Sequence, residues 1–277
     1  MRAVLPCIAA VRRPAGAKAW EENRCASPQS PTFNCLALEA VLADIRRLDI
    51  DIVVNLGDHL SGPLEARRTA DLLMARDFPS IRGNHDRWLI EQAPAEMGLS
   101  DKAAHAELEA AHRQWLSALP PTLVFRDEIF LCHGTPASDT TYWMEQVSGD
   151  GLVHLAPIED IEAAAEGIDL PLILCGHTHI ARVVRLRDGR LVVNPGSVGC
   201  PGYDDDVPVH HVVQAGTPDA CYAVLDKQDG RWSVSFVTYP TTPRPRLPEP
   251  PIGLRARVRS QRDGCDSSAC RFARFGE

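Results

Sequence analysis

Residues 172–179 read LILCGHTH, a short apolar run that ends in a glycine and two histidines separated by one threonine. The run Leu172–Cys175 is typical of a short buried β-strand. The histidines therefore follow a strand end, which is where open sheets place their ligands. In an extended segment, side chains two positions apart point to the same side. We expect His177 and His179 to face one site, where they could serve neighbouring metal ions.

Three other segments follow or close predicted strands and carry polar side chains: Gly57-Asp58, Gly83-Asn84-His85-Asp86 and His133-Gly134. Each is weak evidence alone, but all four segments in this order favour a shared site. Carboxylate and amide oxygens mixed with imidazoles suit manganese, iron or zinc better than calcium. Manganese is the favoured ion. The predicted metal ligands are Asp58, Asn84, His133, His177 and His179.

Helix and strand signals alternate around these segments from about Asn34 to Tyr239. Cys35–Arg47 has apolar residues at helical spacing, and Asp101–Leu119 is predicted to be helical as well. Short strands flank Asp188-Gly189 and Asp229-Gly230, and both dipeptides are strong hairpin signals. This order predicts an α/β domain over residues 34–239, with sheets covered by helices.

Composition is that of an ordinary globular chain, with 277 residues, 44% apolar and 24% charged. The net charge of -8 argues against a surface that coats nucleic acid. No apolar run approaches the roughly 20 residues that span a bilayer. The nine cysteines are odd in number and include no Cys-x-x-Cys pair. Because Cys132 and Cys175 lie in apolar runs, a reducing cytoplasm is predicted.

The four segments, with the closing Asn194-Pro195-Gly196-Ser197-Val198-Gly199, resemble the calcineurin-like metallophosphoesterases, in particular their small prokaryotic members. The resemblance covers residues 34–239. It implies a four-layer αββα sandwich with two divalent metal ions at one edge of the paired sheets. It also implies that Asp58 bridges the ions, that Asn84, His133 and His177 complete the second site, and that His179 belongs to the first.

The same resemblance implies that His85, steadied by Asp86, faces the substrate phosphate as an acid or charge stabiliser. A metal-activated hydroxide would attack phosphorus. The expected substrate is a phosphomonoester or phosphodiester, on a small molecule or a phosphoprotein. The alternative is a non-catalytic scaffold that keeps one metal, either for structure or for binding a phosphorylated ligand.

Substrate selectivity is expected to come from the loops 87–98 and 135–153. Trp88, Tyr142 and Trp143 in these loops could stack on a base, although packing against the domain is the commoner fate of such aromatics. The segment Gly202–Pro208 is expected near the site because it follows the closing segment.

The chain departs from the family at its first motif. Asp-x-His-Gly-Asn should precede the first helix and supply two ligands to the first metal, but Ser30-Pro31-Thr32-Phe33 stands before Asn34. The first metal keeps only Asp58 and His179, too few for tight binding. This leaves open an impaired enzyme. His59 and Asp51 are weak candidates to replace the missing ligands.

The two ends of the chain differ in composition from the middle. Residues 1–33 are an atypical leader and residues 240–277 a Pro/Arg-rich tail, and both compositions are typical of disorder. Alternatively, both ends are out of frame, because the codons of Arg24–Phe33 permit a shifted reading that ends in Asp-Ile, followed by the first base of a histidine codon. A genuine leader is the competing interpretation, and the nucleotide sequence upstream of Asn34 decides between them.

Overall fold

A computed structural model describes residues 7–12, 33–62, 64–200 and 202–240; the side chains of Phe33 and Asn34 are outside this description. These residues belong to the compact unit Met1–Pro243, and the second unit, Arg244–Glu277, lies outside the described residues. The same holds for most of the shifted-frame segment. In chain order the elements are β1 (Ile8–Val11), α1 (Phe33–Arg47), β2 (Ile52–Asn55), α2 (Ala66–Met74), α3 (Asn84–Glu91), α4 (Leu99–Glu107), α5 (Ala110–Ala118), β3 (Thr122–Phe125), β4 (Ile129–Cys132), β5 (Glu145–Val147), β6 (Val153–Leu155), α6 (Ile158–Ala164), β7 (Leu172–Leu174), β8 (Arg182–Arg185), β9 (Leu191–Asn194), β10 (Gly202–Asp205), β11 (His211–Gln214), β12 (Ala220–Gln228) and β13 (Arg231–Tyr239).

Two sheets form the body of the domain, one with strand order β13-β12-β1-β2 and one with order β3-β4-β7-β9-β8. Their inner faces share one core cluster, to which the first sheet contributes Val54 and the second Leu174. On the outer side of the first sheet, α1 packs through Leu38, and on the outer side of the second, α6 packs through Ile161. The predicted four-layer αββα sandwich is therefore confirmed.

The central strands are covered on both faces, which explains their continuous apolar sequences. β1 and β9, for example, are buried at every position. A further group of helices, α2 to α5, forms a separate apolar cluster through residues such as Leu89 and Leu116. This cluster holds α3 and α4 close together beside the carboxyl end of β2, where the site is built.

β1 lies inside the predicted leader. Ile8–Val11 is buried at every position and sits between β12 and β2. The prediction that residues 1–33 contain no element is wrong at this strand, because a run of four apolar residues is too short to give a periodic signal. The first sheet thus includes Ile8–Val11 as a strand in the frame as written, and the shifted-frame hypothesis stays a prediction for the nucleotide sequence to decide.

β1 runs parallel to β12 but antiparallel to β2, with Ile8 opposite Asn55 and Val11 opposite Ile52. Its amino end therefore lies at the edge where Asp58 follows β2, and its carboxyl end lies at the other edge. At that other edge Arg12 forms an ion pair with Asp226 at 2.7 Å. The carboxyl end of β1 consequently points away from the predicted metal site.

Both predicted hairpins are present, β8–β9 around Asp188-Gly189 and β12–β13 around Asp229-Gly230. In the second, Asp229 and Gly230 both have positive φ, 49° and 75°, as a two-residue type I′ turn requires. Within the described residues, the helices are too short or too polar to cross a membrane.

Candidate metal centre

The predicted ligands converge at one edge of the paired sheets. The Oδ2 atom of Asp58 lies 3.1 Å from Nε2 of His133, and Oδ1 of Asn84 lies 3.0 Å from the same nitrogen. Ligand atoms of Asp58, His133 and His177 all lie within 4.8 Å of one another. Four side chains from four separate loops thus share one centre.

Tight turns bring these loops together. Gly57 has φ 97°, and a Cβ added there would stand 2.4 Å from the backbone nitrogen of Gly83. Only glycine lets the two loops approach this closely. Asp58, His177 and His179 also have positive φ, at 58°, 65° and 60°. Non-glycine residues rarely adopt this conformation, and it concentrates at functional sites that the surrounding structure holds in place.

Asp86 ties the Asp58 loop to the start of α3. Its fully buried carboxylate accepts the backbone N–H groups of Asp58, His59 and Gly83 at 2.8, 2.9 and 2.9 Å. It also pairs with Nδ1 of His59 at 2.8 Å. A carboxylate with this many donors fixes the geometry of both ligand-bearing loops.

The prediction that Asp86 steadies His85 is wrong. Nδ1 of His85 pairs instead with Oδ1 of Asp101, in the first turn of α4, at 2.8 Å. Asp86 lies on the inner side of α3 and is saturated by the contacts described above. Asp101 is brought to the ring by the packing of α4 against α3, a contact that no sequence pattern reveals.

His85 sits in the first turn of α3, and its backbone N–H donates to Oδ1 of Asp58 at 3.1 Å. Its ring is edge-on to Trp88, with 4.8 Å between ring centroids. Burial lowers the pKa of His85, but the charges of Asp58 and Asp101 outweigh it and raise that pKa to about 9. At neutral pH His85 is therefore a cation beside the ligand cluster.

Three other imidazoles, those of His133, His177 and His179, belong to the predicted ligand set. Nδ1 of His133 donates to the carbonyl of Leu56 at 2.6 Å, which directs Nε2 toward the centre. Burial lowers the pKa of His177 to about 3 and that of His179 to about 4, helped in both cases by the other histidines and opposed by Asp58. Both rings are neutral at pH 7 and can offer a lone pair. Burial raises the pKa of Asp58, but the neighbouring histidines reverse this and hold it well below its usual range.

His179 supplies an independent test of whether this site fits an ion. Its side chain is buried, and Nδ1 donates to the carbonyl of Cys200 at 3.2 Å. Its Nε2 is buried with no hydrogen-bond partner. Leaving a buried polar nitrogen unpaired is costly, and coordination of a cation would satisfy it. The donor set and this orphaned nitrogen both fit a divalent metal.

The two weak replacement candidates differ in their surroundings. His59 is fully buried, its Nδ1 is taken by Asp86, and its ring packs edge-on against Trp115 at 5.2 Å. Its Nε2, like that of His179, is buried with no hydrogen-bond partner. Asp51 precedes β2 and so lies at the opposite end of that strand from Asp58. The resemblance assigns Asp58 and His179 to the first site, and that assignment stays a prediction.

Two tyrosines, Tyr142 and Tyr203, pack against the rings of His177 and His179. Tyr142 packs edge-on against His177 at 5.2 Å, and Tyr203 against His179 at 5.4 Å. The hydroxyl of Tyr203 donates to that of Tyr142 at 2.9 Å, and the Tyr142 hydroxyl in turn lies 2.9 Å from Nε2 of His211. The expectation that the 202–208 segment lies near the site is confirmed. The contact between Tyr142 and His211 was not predicted.

The remaining predicted aromatics differ in their environment. Trp143 is buried in the core and donates through Nε1 to the carbonyl of Ile161 at 3.0 Å, so it packs against the domain. Trp88 stays at the site through its contact with His85. Arg87, its neighbour, binds both carboxylate oxygens of Asp139 at 2.7 and 2.8 Å and links α3 to the loop that follows β4.

Comparisons with known proteins agree with this geometry. The profile of the calcineurin-like phosphoesterase superfamily domain matches residues 33–217. The crystal structure of a metallophosphoesterase from Sphaerobacter thermophilus is 25% identical, with a TM-score of 0.55 over 76% of this chain and 85% of that one. A hypothetical protein from Pyrococcus horikoshii OT3 shares the fold, with 19% identity and a TM-score of 0.52 over 83% of this chain and 87% of that one. A search of curated proteins found no match.

Proposed function

The chain belongs to the calcineurin-like phosphoesterase superfamily, and we propose that it hydrolyses a phosphomonoester or phosphodiester in a metal-dependent reaction. The observation that carries the proposal is the convergence of Asp58, His133 and His177, whose ligand atoms lie within 4.8 Å of one another. The proposed substrate is a phosphorylated small molecule or phosphoprotein in the cytoplasm. A nucleic-acid polymer is not expected, given the net charge of -8.

Each ligand has a distinct proposed role. Asp58, Asn84, His133 and His177 would hold one ion, and His179 with Asp58 would contribute to a second. When bound, divalent ions polarise a phosphoryl oxygen and lower the pKa of a water molecule. Manganese is our preferred ion. Asp58 can serve as a ligand because the charges of the neighbouring histidines keep it ionised, although burial opposes this.

His85 would act on the leaving group. The ring is a cation at neutral pH, with Nδ1 engaged by Asp101, so the proton on Nε2 is the one available for transfer. A positioned imidazole that gives a proton to a departing oxygen contributes roughly 10²–10⁴-fold to such reactions. This role requires no metal ligation by His85.

A second candidate function is a non-catalytic module that keeps one ion and binds a phosphorylated ligand. The observation that favours it is the direction of β1, whose carboxyl end lies at the edge away from Asp58. Arg12, the residue after β1, is paired there with Asp226. Among the described residues, those adjoining that strand end therefore bring no replacement for the missing first-motif ligands.

Metal analysis combined with turnover separates the two functions. The purified protein would be loaded with manganese, iron or zinc and assayed with an aryl phosphate. If the protein is an enzyme, the metal should stimulate hydrolysis. Asp58→Asn should then lose both bound metal and turnover, and His85→Ala should lose turnover alone. Asp51→Asn, a matched change at the opposite end of β2, should alter neither. One bound ion without turnover would favour the non-catalytic module. Failure to bind any ion would contradict both candidate functions.

A further inference from the structure

We propose that the free edge of β13 binds a second copy of this chain. The two β13 strands would pair in antiparallel orientation about a twofold axis at Ser235, and this pairing would join the two four-stranded sheets into one. The inference is independent of the proposed phosphoesterase function. β13 and β2, the strand that leads to Asp58, lie at opposite edges of the sheet, so the interface uses no predicted metal ligand.

β13 differs from the other edge strands of the two main sheets. Among the described residues those edge strands are β2, β3 and β8, which have four residues each, whereas β13 has nine. β8 also begins and ends with an arginine, Arg182 and Arg185, and charged side chains are one means by which natural proteins block an edge. β13 contains no proline and one charged residue, Arg231. Its edge is therefore long and weakly protected.

The turn before β13 determines which of its backbone groups face outward. Gln228 and Arg231 flank the two-residue turn and lie opposite each other, so they exchange both of their hydrogen bonds. Because this pattern alternates along antiparallel strands, the odd-numbered residues of β13 bond to β12. Within the described residues, β12 is the only strand that pairs with β13. The residues whose N–H and C=O groups face outward are Trp232, Val234, Phe236 and Thr238.

One register gives all of these groups a partner in a second copy. With Ser235 on the twofold axis, Trp232 lies opposite Thr238 of the second copy, and Val234 lies opposite Phe236 of the second copy. Both are pairs of outward-facing residues, so the two members of each pair exchange both hydrogen bonds. A sheet edge that matches itself in this way is an isologous interface.

The side chains of this register also fit one another. Phe236 shares the inner face of the sheet with Val234, which packs against the core, and Phe236 is 38% exposed. Val234 of the second copy would cover it as a cross-strand apolar pair. On the outer face, Arg231 lies opposite Tyr239 of the second copy rather than opposite another cation. Pro240 follows β13 and has no N–H to satisfy, so the pairing ends there.

The plainer alternative is an edge that only water contacts. A long edge rich in β-branched and aromatic residues is, however, a template for pairing with another chain. Open-ended pairing of such edges leads to aggregation. A twofold dimer instead uses the edge of both copies and leaves none for a third. The self-complementary register is the observation that favours a second copy over a different protein.

Analytical ultracentrifugation of the full chain over a range of concentrations tests the inference. The wild type should sediment as a dimer, at twice the chain mass of 30.3 kDa, with or without added metal. Ser235→Lys places two cations opposite each other at the axis and should raise the dissociation constant by roughly fivefold or more. Ser233→Lys is the matched control on the same exposed face. It lies opposite Val237 of the second copy and should change the constant by less than about twofold.

Two further samples test the register and the backbone pairing. An equimolar mixture of Ser235→Lys and Ser235→Glu should recover the dimer, because opposite charges then meet at the axis. Phe236→Pro removes an outward N–H without removing a bond to β12, and should raise the dissociation constant by roughly tenfold or more.

Several results would overturn the inference. A wild type that stays monomeric at every concentration, whatever covers its edge, contradicts it, and so does assembly beyond the dimer. A dimer that withstands both Ser235→Lys and Phe236→Pro has its interface at another surface. Equal weakening by lysine at positions 233 and 235, without recovery in the mixture, contradicts the register. If Phe236→Pro does not fold, the variants of the exposed Ser235 decide the question.

Discussion

Replacing Asp86 by alanine is expected to destabilise the Asp58 loop and the start of α3, the two segments that Asp86 joins. The carboxylate of Asp86 is fully buried and accepts three backbone N–H groups, those of Asp58, His59 and Gly83, in addition to the ring nitrogen of His59. Alanine removes every one of these acceptors at once. The three amides lie where the Asp58 loop and the start of α3 meet, so the carboxylate joins these two segments.

The magnitude follows from the number of unpaired groups. A buried donor that loses its partner costs about 1–3 kcal/mol. Three amides give a simple sum of roughly 3–9 kcal/mol, and because the two loops can relax together we expect about 4 kcal/mol. A domain of this kind has a total stability of roughly 5–15 kcal/mol, so Asp86→Ala should be only marginally folded.

Urea denaturation of the metal-free protein measures this loss directly. Asp206→Ala is the matched control, since that side chain is 90% exposed and should change the free energy of unfolding by less than about 0.5 kcal/mol. Asp86→Ala should also bind manganese more weakly, because Asp58 is no longer held. A destabilisation below about 1 kcal/mol would refute the reasoning that Asp86 joins the two loops.

Three other outcomes are expected. Ala9→Asp places an unpaired charge at a fully buried position of the central strand and should abolish soluble folded protein, whereas Arg12→Ala at the exposed end of that strand should not. The pKa values of His177 and His179 are lowered to about 3 and about 4, so the unfolded chain binds more protons than the folded chain below about pH 6.5. The melting temperature of the metal-free protein should therefore decrease as the pH is lowered from about 6.5 toward 4. The decrease should be less steep in His179→Gln. Tyr203→Phe removes the hydrogen bond from the Tyr203 hydroxyl to that of Tyr142 and should lower the free energy of unfolding, measured in urea, by about 1 kcal/mol. The variant should also differ from the wild type in KM.

Elements of the fold that depend on neighbouring residues could be predicted from the sequence. Strand-end segments such as Gly57-Asp58 and Gly176–His179 could be placed because continuous apolar runs precede them and glycine permits their turns. The hairpin at Asp229-Gly230 followed from a dipeptide that tolerates two positive φ angles. In each case neighbouring residues determine the structure.

Features that depend on distant contacts could not be predicted. β1 is short and owes its burial to β2 and β12, and nothing in Ile8–Val11 indicates that it runs antiparallel to β2. The predicted helix over Asp101–Leu119 is two helices, because Leu108 leaves the helix with φ -83° and ψ 131° although no glycine or proline marks the break. Asp101 became the partner of His85 through the packing of α4 on α3, whereas the resemblance to the family implied Asp86.

The most direct test of the account is anomalous X-ray scattering from crystals of the protein grown with manganese, recorded on both sides of the manganese absorption edge. We predict a peak within coordination distance of Asp58, His133 and His177, with Asn84 as a further ligand. A well-ordered structure in which these four side chains bind no manganese, or in which the metal lies at another part of the domain, would contradict it.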